Sequence, residues 1–574
     1  MTDHVPSRTP TETDALAEQH LDAVAVLDPV SATYMGLPGH DDALTDYSPT
    51  GHGVRAARSR ATLDRLAGIR PVDDTDRVTA AALRERLGLG LEFHAAGLDL
   101  ADLNNISSPV QSLREVFDIA PTATVADWEA IGTRLEGIGA ALAGYRESLV
   151  EARRRGWVPP ARQVLAAARQ CADAGAPDGF FTSLHATAAT SDGDPLPSRL
   201  PDRLAAAGNA AARAYLDQER WLRRELLPTA RTDDAVGRDL YPLYARAFLG
   251  STVDVEDTYA WGLAELAHVE RRMAEVARRI VPDGTATGDA IVAEAIAVLD
   301  ADPGRRIEGA EAFRDWMQDL ADTAIADLDG THFDIPAPLH TLRCRIAPSS
   351  SGAIYYTGPS EDLSRPGQMW WSVPDGVTRF SAWQERTTVY HEGVPGHHLQ
   401  IGRAVLGADR LNRWRRLASW VSGHGEGWAL YAERLMEELG YLTDPGDLMG
   451  MLDAQALRAA RVVVDIGVHC RLAAPAEVGG GVWDPAKAWA FLRRHTRVPD
   501  PSLRFELDRY LGWPGQAISY KVGERVWLDL RAQVKARDGA GFDLRAFHRD
   551  CLALGSVGLD VLAGAVLGTL PDAR

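Results

Sequence analysis

The chain has 574 residues, 45% of them hydrophobic and 25% charged, with a mean hydropathy of −0.19, proportions that exclude a disordered chain or a fibre. Its 61 basic and 80 acidic residues give a net charge of −19, which repels phosphate backbones and anionic lipid headgroups, so neither nucleic acid nor a membrane surface is an expected partner. The start shows no basic stretch followed by an apolar one, and the four cysteines (Cys171, Cys344, Cys470, Cys551) are too widely spread for a metal knuckle or a disulfide framework, which leads us to expect a reducing, cytoplasmic location.

In the first third, apolar positions recur at three- and four-residue steps, as in residues 126–155 and 200–227, and predict long amphipathic helices. Residues 183–203, rich in Ser, Asp, Gly and Pro, read as a loop between them. Helical periodicity resumes at 254–280 and 307–328. The pattern then changes to short β-prone runs at 342–348, 352–357 and 368–373, separated by Gly, Pro and Ser. From Phe380 to the end it is helical again, with breaks near Gly440, at 478–483 and at 511–514. The expected fold is mainly α, with two helical lobes around a deep cleft, 1–335 and 336–574, and a small sheet beside the richest motif.

That motif runs Tyr390-His391-Glu392-Gly393-Val394-Pro395-Gly396-His397-His398, followed by His424-Gly425-Glu426-Gly427-Trp428-Ala429-Leu430-Tyr431-Ala432-Glu433. Three imidazoles and a carboxylate within eight residues are a poor recipe for a core. In zinc hydrolases with the H-E-x-x-H pattern, two His at i and i+4 bind the metal and the Glu is a general base. Here i+4 is Pro395. His397 and His398 stand about 600° and 700° further round an ideal helix, the second about 10.5 Å up its axis, so neither shares a metal with His391 unless the helix is interrupted. A bulge at 393–396, where Pro removes a donor and Gly tolerates unusual dihedrals, permits it. Absorbing two residues makes His397 the second ligand, and absorbing three makes it His398; His397 is preferred.

A third ligand from another helix leaves the fourth position for water, and Glu426, flanked by two glycines, suits it. Glu433 follows on the same face, either orienting a ligand His or lying at the surface. Arg461, Asp465 and His469 recur at i, i+4 and i+8, so Asp465 is placed to pair with Arg461 and fix the His469 tautomer, unless the three form a purely structural ion pair. Pro514 is suited to start a helix with Tyr520 in its second turn, as an oxyanion donor or a core aromatic. There is no G-x-S-x-G elbow, Walker loop or dinucleotide fingerprint.

These stretches, HEGVPGHH at 391–398, EGWALYAE at 426–433, RVVVDIGVH at 461–469 and PGQAISYKVG at 514–523, together with the opening at 28–49, resemble the bacterial family catalogued as domain of unknown function 885. The resemblance implies a zinc metallopeptidase-like protein related in outline to the helical gluzincins, with one Zn2+ on the floor of the cleft. It also implies an edge strand at 352–357 that pairs with an extended substrate, so that Ala353, Tyr355 and Tyr356 meet it, and His469 and Tyr520 as donors to the oxyanion. The expected activity is hydrolysis of oligopeptide or dipeptide bonds with Glu392 as base. The alternatives are a metal-dependent enzyme acting on a small peptide-like metabolite and an inactive helical binding protein.

Overall fold

Wherever the apolar positions keep a helical period the chain is helical, and local caps fix the ends. The computed structural model describes residues 8–191, 196–347, 354–374 and 376–570. The fold is 68% helix and 5% strand, with 22 α-helices among the described residues. The longest, Val125–Arg154, starts behind Thr124, whose hydroxyl accepts from the Asp127 N–H while the Asp127 carboxylate accepts from the Thr124 N–H, satisfying two otherwise orphaned donors. Helix Val255–Ile280 starts behind Asp254, whose carboxylate accepts from the Asp257 N–H at 2.8 Å. None of the described helices is long and apolar enough to cross a membrane.

The five strands among the described residues are β1 (Arg306–Glu308), β2 (Leu342–Ile346), β3 (Ile354–Thr357), β4 (Gly367–Trp371) and β5 (Arg379–Ser381). In one sheet β4 is central, parallel to β2 and antiparallel to β3, with Met369 opposite Cys344 on one side and Tyr356 on the other. β1 and β5 form a second, two-stranded sheet with Ile307 opposite Phe380. This pair corrects the helix expected from residue 307: Gly309, at φ 91°, stops the strand, and the helix begins at Ala310.

Buried apolar side chains gather in two cores. The smaller is built on helices Val125–Arg154, Ala161–Ala174 and Arg199–Trp221, around Trp128, Leu135, Tyr145, Phe181 and Tyr215. The larger takes in residues from Leu16 to Leu83 and from Tyr241 to Leu562. It passes through residue 335 without a break, and there the side-chain amide of Gln318 in helix Ala310–Leu328 pairs with the edge of β2, donating to the Leu342 carbonyl at 2.8 Å and accepting from the Cys344 N–H at 2.9 Å. The cores therefore part elsewhere than at the expected boundary, and the first 335 residues contribute to both.

Helices Ser422–Glu438 and Ser519–Asp538 carry Glu426 and Tyr520. They touch backbone to backbone at Gly427 and Gly523, where a Cβ on either residue would overlap the other chain segment. Glycine at both positions is what allows the two helices that carry Glu426 and Tyr520 to come so close.

Candidate metal centre

Helix Ala382–Glu392 ends at Gly393 and a new helix, His397–Leu406, begins four residues later. Gly393 and Gly396 hold ψ angles of −129° and −130°, and a Cβ on Gly396 would fall within the carbonyl oxygens of His391 and Tyr390. The reversal is fastened by Gly396 N–H to the Tyr390 carbonyl at 3.1 Å and His398 N–H to the Gly393 carbonyl at 3.1 Å. From the next helix, the Trp428 indole N–H donates to the Pro395 carbonyl at 2.9 Å. The interruption expected from Pro and Gly is thus a break between two helices, and it turns His397 back towards His391.

His391, His397 and Glu426 present ligand atoms that all lie within 4.8 Å of one another. His391 Nε2 is 3.3 Å and His397 Nε2 3.5 Å from Glu426 Oε2. Zinc bonds of about 2.0–2.2 Å in a tetrahedral site set neighbouring donor atoms roughly 3.3 Å apart, so the spacing fits such an ion, and two imidazoles with one carboxylate are a donor set it accepts. His391 Nδ1 points the other way, 2.7 Å from Glu433 Oε1, while the Thr387 hydroxyl donates to Glu433 Oε2. Glu433 is fully buried, so of the two readings of its position the orienting one matches its contacts. It holds the proton of His391 on Nδ1 and leaves Nε2 directed at the cluster.

The electrostatics follow from burial and these contacts. Burial opposes a charge on His391, but the hydrogen bonds to Glu426 and Glu433 prevail and push the imidazole up to about 10. Burial likewise works against the Glu426 carboxylate, and its bonds to His391 and His397 hold it well below the ordinary range. Glu392 is buried, makes no hydrogen bond to any described residue, and is raised above the usual carboxylate range by burial, against the opposing pull of His397 and His391.

Tyr520 lies against the cluster, its ring 6.4 Å from that of His391. Burial raises the phenol, and the Glu426 charge raises it further. It sits in the first turn of helix Ser519–Asp538, not the second turn of one begun by Pro514: Gly515, at φ 80°, delays the helix and gives its N–H to Asp465 Oδ1 at 3.0 Å. Arg461 covers the Tyr520 ring at 4.9 Å. The guanidinium is paired with Glu506 at 2.7 Å, not with Asp465.

Other expected residues lie elsewhere. Asp465 accepts from the Tyr241 hydroxyl at 2.7 Å as well as from Gly515, which corrects its expected pairing with Arg461 and its hold on His469. His469 follows Arg461 by about 12 Å of helix axis; its Nε2 is bonded to the Tyr510 carbonyl at 2.8 Å and its ring rests on Tyr241. That places it away from the cluster and corrects its role as an oxyanion donor. His398 has both ring nitrogens engaged, Nδ1 with the Tyr356 hydroxyl and Nε2 with the Leu339 carbonyl, each at 2.9 Å, which leaves no lone pair for a metal and decides between the two candidate histidines. Tyr356 thus supports the motif from behind, while Tyr355, on edge strand β3, is 40% exposed and stacked on Trp370. Ala353 lies outside the described residues.

Three contributors were not anticipated. Thr387 stands four residues before His391 on the same face, a legible spacing. Arg458, one turn before Arg461, comes within 4.0 Å of Glu433 Oε1. Trp420, whose ring is 5.9 Å from that of His397, had no sequence signal beyond its nearness to the motif.

A mainly helical protein in which two histidines of an interrupted helix meet a glutamate of a neighbouring helix is the class these observations define. The chain belongs to the family described as "Bacterial protein of unknown function (DUF885)", whose model matches residues 29–566. No curated protein matches it. Its fold is similar to the crystal structure of "the putative lipoprotein from Colwellia psychrerythraea", with 25% identity over 97% of this chain and 98% of that one and a TM-score of 0.82. It is also similar to "a putative lipoprotein of unknown function from Shewanella oneidensis", with 17% identity over 97% and 100% and a TM-score of 0.74; at that identity the likeness concerns the fold alone.

Proposed function

We propose that the chain is a zinc-dependent hydrolase of peptide bonds in oligopeptides or dipeptides, with one zinc ion held by His391, His397 and Glu426. The observation that carries this reading is the convergence of three donor atoms within 4.8 Å beside a carboxyl group, Glu392, that has no hydrogen-bond partner among the described residues. A divalent cation bound there supplies a Lewis acid and makes water acidic near neutral pH. Glu392 takes the proton from the attacking water and delivers it to the leaving amine, a role that suits a carboxyl with raised proton affinity next to a ligand. Tyr520 donates its hydroxyl to the developing oxyanion, and Arg461 lies over the Tyr520 ring. β3, the outer strand of its sheet among the described residues, offers a backbone partner to an extended peptide.

A cytoplasmic location belongs to the same proposal. The four cysteines, all buried and unpaired, support it, whereas the descriptions of the two structural relatives favour a membrane-anchored location; cell fractionation separates the two.

The test of function joins metal analysis to two variants. The purified protein is expected to carry about one zinc per chain, His391→Ala to lose it, and Glu392→Gln to keep it while losing peptide hydrolysis by at least about a hundredfold. Protein that stays metal-free after reconstitution, or a Glu392→Gln variant with near-normal turnover, overturns the proposal.

A further inference from the structure

Three arginines gather around Tyr520, and two of them are saturated. Arg461 lies over the ring at 4.9 Å, donates to the Tyr510 hydroxyl and pairs with Glu506 at 2.7 Å. Arg509 pairs with Glu506 at 2.7 Å and donates to the Gln516 side-chain carbonyl. Arg458, on helix Pro445–His469, has its guanidinium 6.0 Å from the centre of the Tyr520 ring and is supplied differently. Its hydrogen bond to a described residue is one long contact, 3.3 Å, with the Ala454 carbonyl of its own helix. Glu433 Oε1 stands 4.0 Å away, an ion-pair distance too long for a hydrogen bond, and both Glu433 oxygens are already engaged by His391 and Thr387. The Arg458 Nε–H is buried without a partner among the described residues.

The position of this guanidinium is one that an incoming molecule meets. Glu433 and His391 are closed off from solvent, but the side chains of Arg458 and Glu426 keep 16% and 19% of their surface exposed, and Tyr520 is partly exposed as well. Solvent therefore touches the centre at Glu426, Tyr520 and Arg458. A guanidinium whose donors lack acceptors in a half-closed site is costly, and its planar fork matches a carboxylate, which accepts two of the donors at once. A peptide carries such a group at its C-terminus. The guanidinium is 6.0 Å from the ring whose hydroxyl serves the reacting carbonyl, and one residue advances a chain by about 3.8 Å, so the carboxylate that fits belongs to the residue directly after the cleaved bond.

Resting on the hydrolase reading, we infer that Arg458 binds the free C-terminal carboxylate of the substrate. The leaving group is then a single amino acid, and the preferred substrates are dipeptides or peptides trimmed one residue at a time from the C-terminus.

The test uses the full chain, supplied with zinc, as the Glu392→Gln variant, which is expected to hold a peptide without turning it over. The probes are alanyl-phenylalanine and alanyl-phenylalanine amide, followed by calorimetry. The dipeptide is expected to bind at least about tenfold more tightly than its amide. Adding Arg458→Gln is expected to bring the two affinities within about threefold of each other, and Arg458→Lys, which keeps the charge and loses the fork, to retain an intermediate preference. In the active chain, Arg458→Gln is expected to raise the KM for alanyl-phenylalanine by at least about tenfold with a smaller change in kcat. Equal binding of dipeptide and amide with Arg458 intact overturns the inference without any Arg458 variant having to fold. So does a preference that survives both substitutions, or affinities for the two probes that fall together, as they would if Arg458 served only as counter-ion to Glu433. Tighter binding of alanyl-glutamic acid α-amide than of alanyl-phenylalanine moves the recognised carboxylate to a side chain and overturns it too. Failure of the hydrolase reading shows separately, as an active chain that cleaves neither probe whatever the binding preference.

Discussion

Glu433 makes the sharpest test of how the centre is organised, because it never touches the three donor atoms and acts only through His391. Its carboxylate accepts from His391 Nδ1 at 2.7 Å and from the Thr387 hydroxyl, and it is fully buried. In Glu433→Gln the amide oxygen can still accept from Nδ1–H, and the Thr387 hydroxyl can rotate to accept from the amide N–H. Both contacts survive, only the charge is lost, and zinc affinity should fall by about tenfold, the lower end for a group that orients a ligand. Glu433→Ala leaves the Nδ1–H and the Thr387 hydroxyl unpaired in a closed space, at about 1–3 kcal/mol each. The ring is then free to change tautomer and turn, and affinity should fall by about a hundredfold. Competition against a chromophoric chelator gives the affinities, and denaturant unfolding of the metal-free proteins gives the stability cost. If Ala and Gln lose affinity equally, or Ala loses none, Glu433 does not orient His391 and the reasoning fails.

Gly396→Ala places a methyl group against the His391 and Tyr390 carbonyls, so the break must shift: stability should fall by about 1–3 kcal/mol and zinc binding by more than tenfold, read by metal titration, and normal binding would show that the break tolerates a side chain. Zinc should stabilise the protein by about 2.7 kcal/mol at a hundred times its Kd, an increment that thermal unfolding with and without chelator measures and that His397→Ala should remove but His398→Gln should not. Burial, aided by the Arg531 and His332 charges, pushes His548 down to about 3. Its neutral form is therefore the folded one: the contribution is whole above the ordinary histidine pKa of about 6.5 and is lost as the pH falls from there toward 3, about 2 kcal/mol by pH 5. Urea unfolding at pH 7 and 5 should show that loss, reduced by the same amount in His548→Gln; an unchanged pH dependence in the variant would remove His548 from the account.

The long helices were readable because caps and apolar spacing agree, as at Thr124 and Asp254, and β2, β3 and β4 because short β-branched and aromatic runs lie between Gly, Pro and Ser. β1 and β5 were not. Each has three residues, and their pairing joins positions more than seventy residues apart, which no local pattern records. The same limit explains His469. Arg461, Asp465 and His469 do share a helix face, as their spacing says, but spacing fixes a direction and not a partner. The partners came from Glu506, Tyr241, Gly515 and Tyr510, all brought in by tertiary packing.

At the candidate metal centre the sequence left His397 and His398 as alternatives, because both are compatible with a bulge of unstated size. What decides between them is distant in the chain: the Leu339 carbonyl and the Tyr356 hydroxyl occupy the ring of His398. The break also has an electrostatic consequence that an uninterrupted helix would lack. His391 and Glu392 stand at the C-terminal end of one helix and His397 at the first position of the next. The negative end of a helix dipole favours a proton on Glu392, in the same direction as its burial. The residues that make the break, Gly393 and Gly396, shape the chemistry of the cluster as well as its geometry.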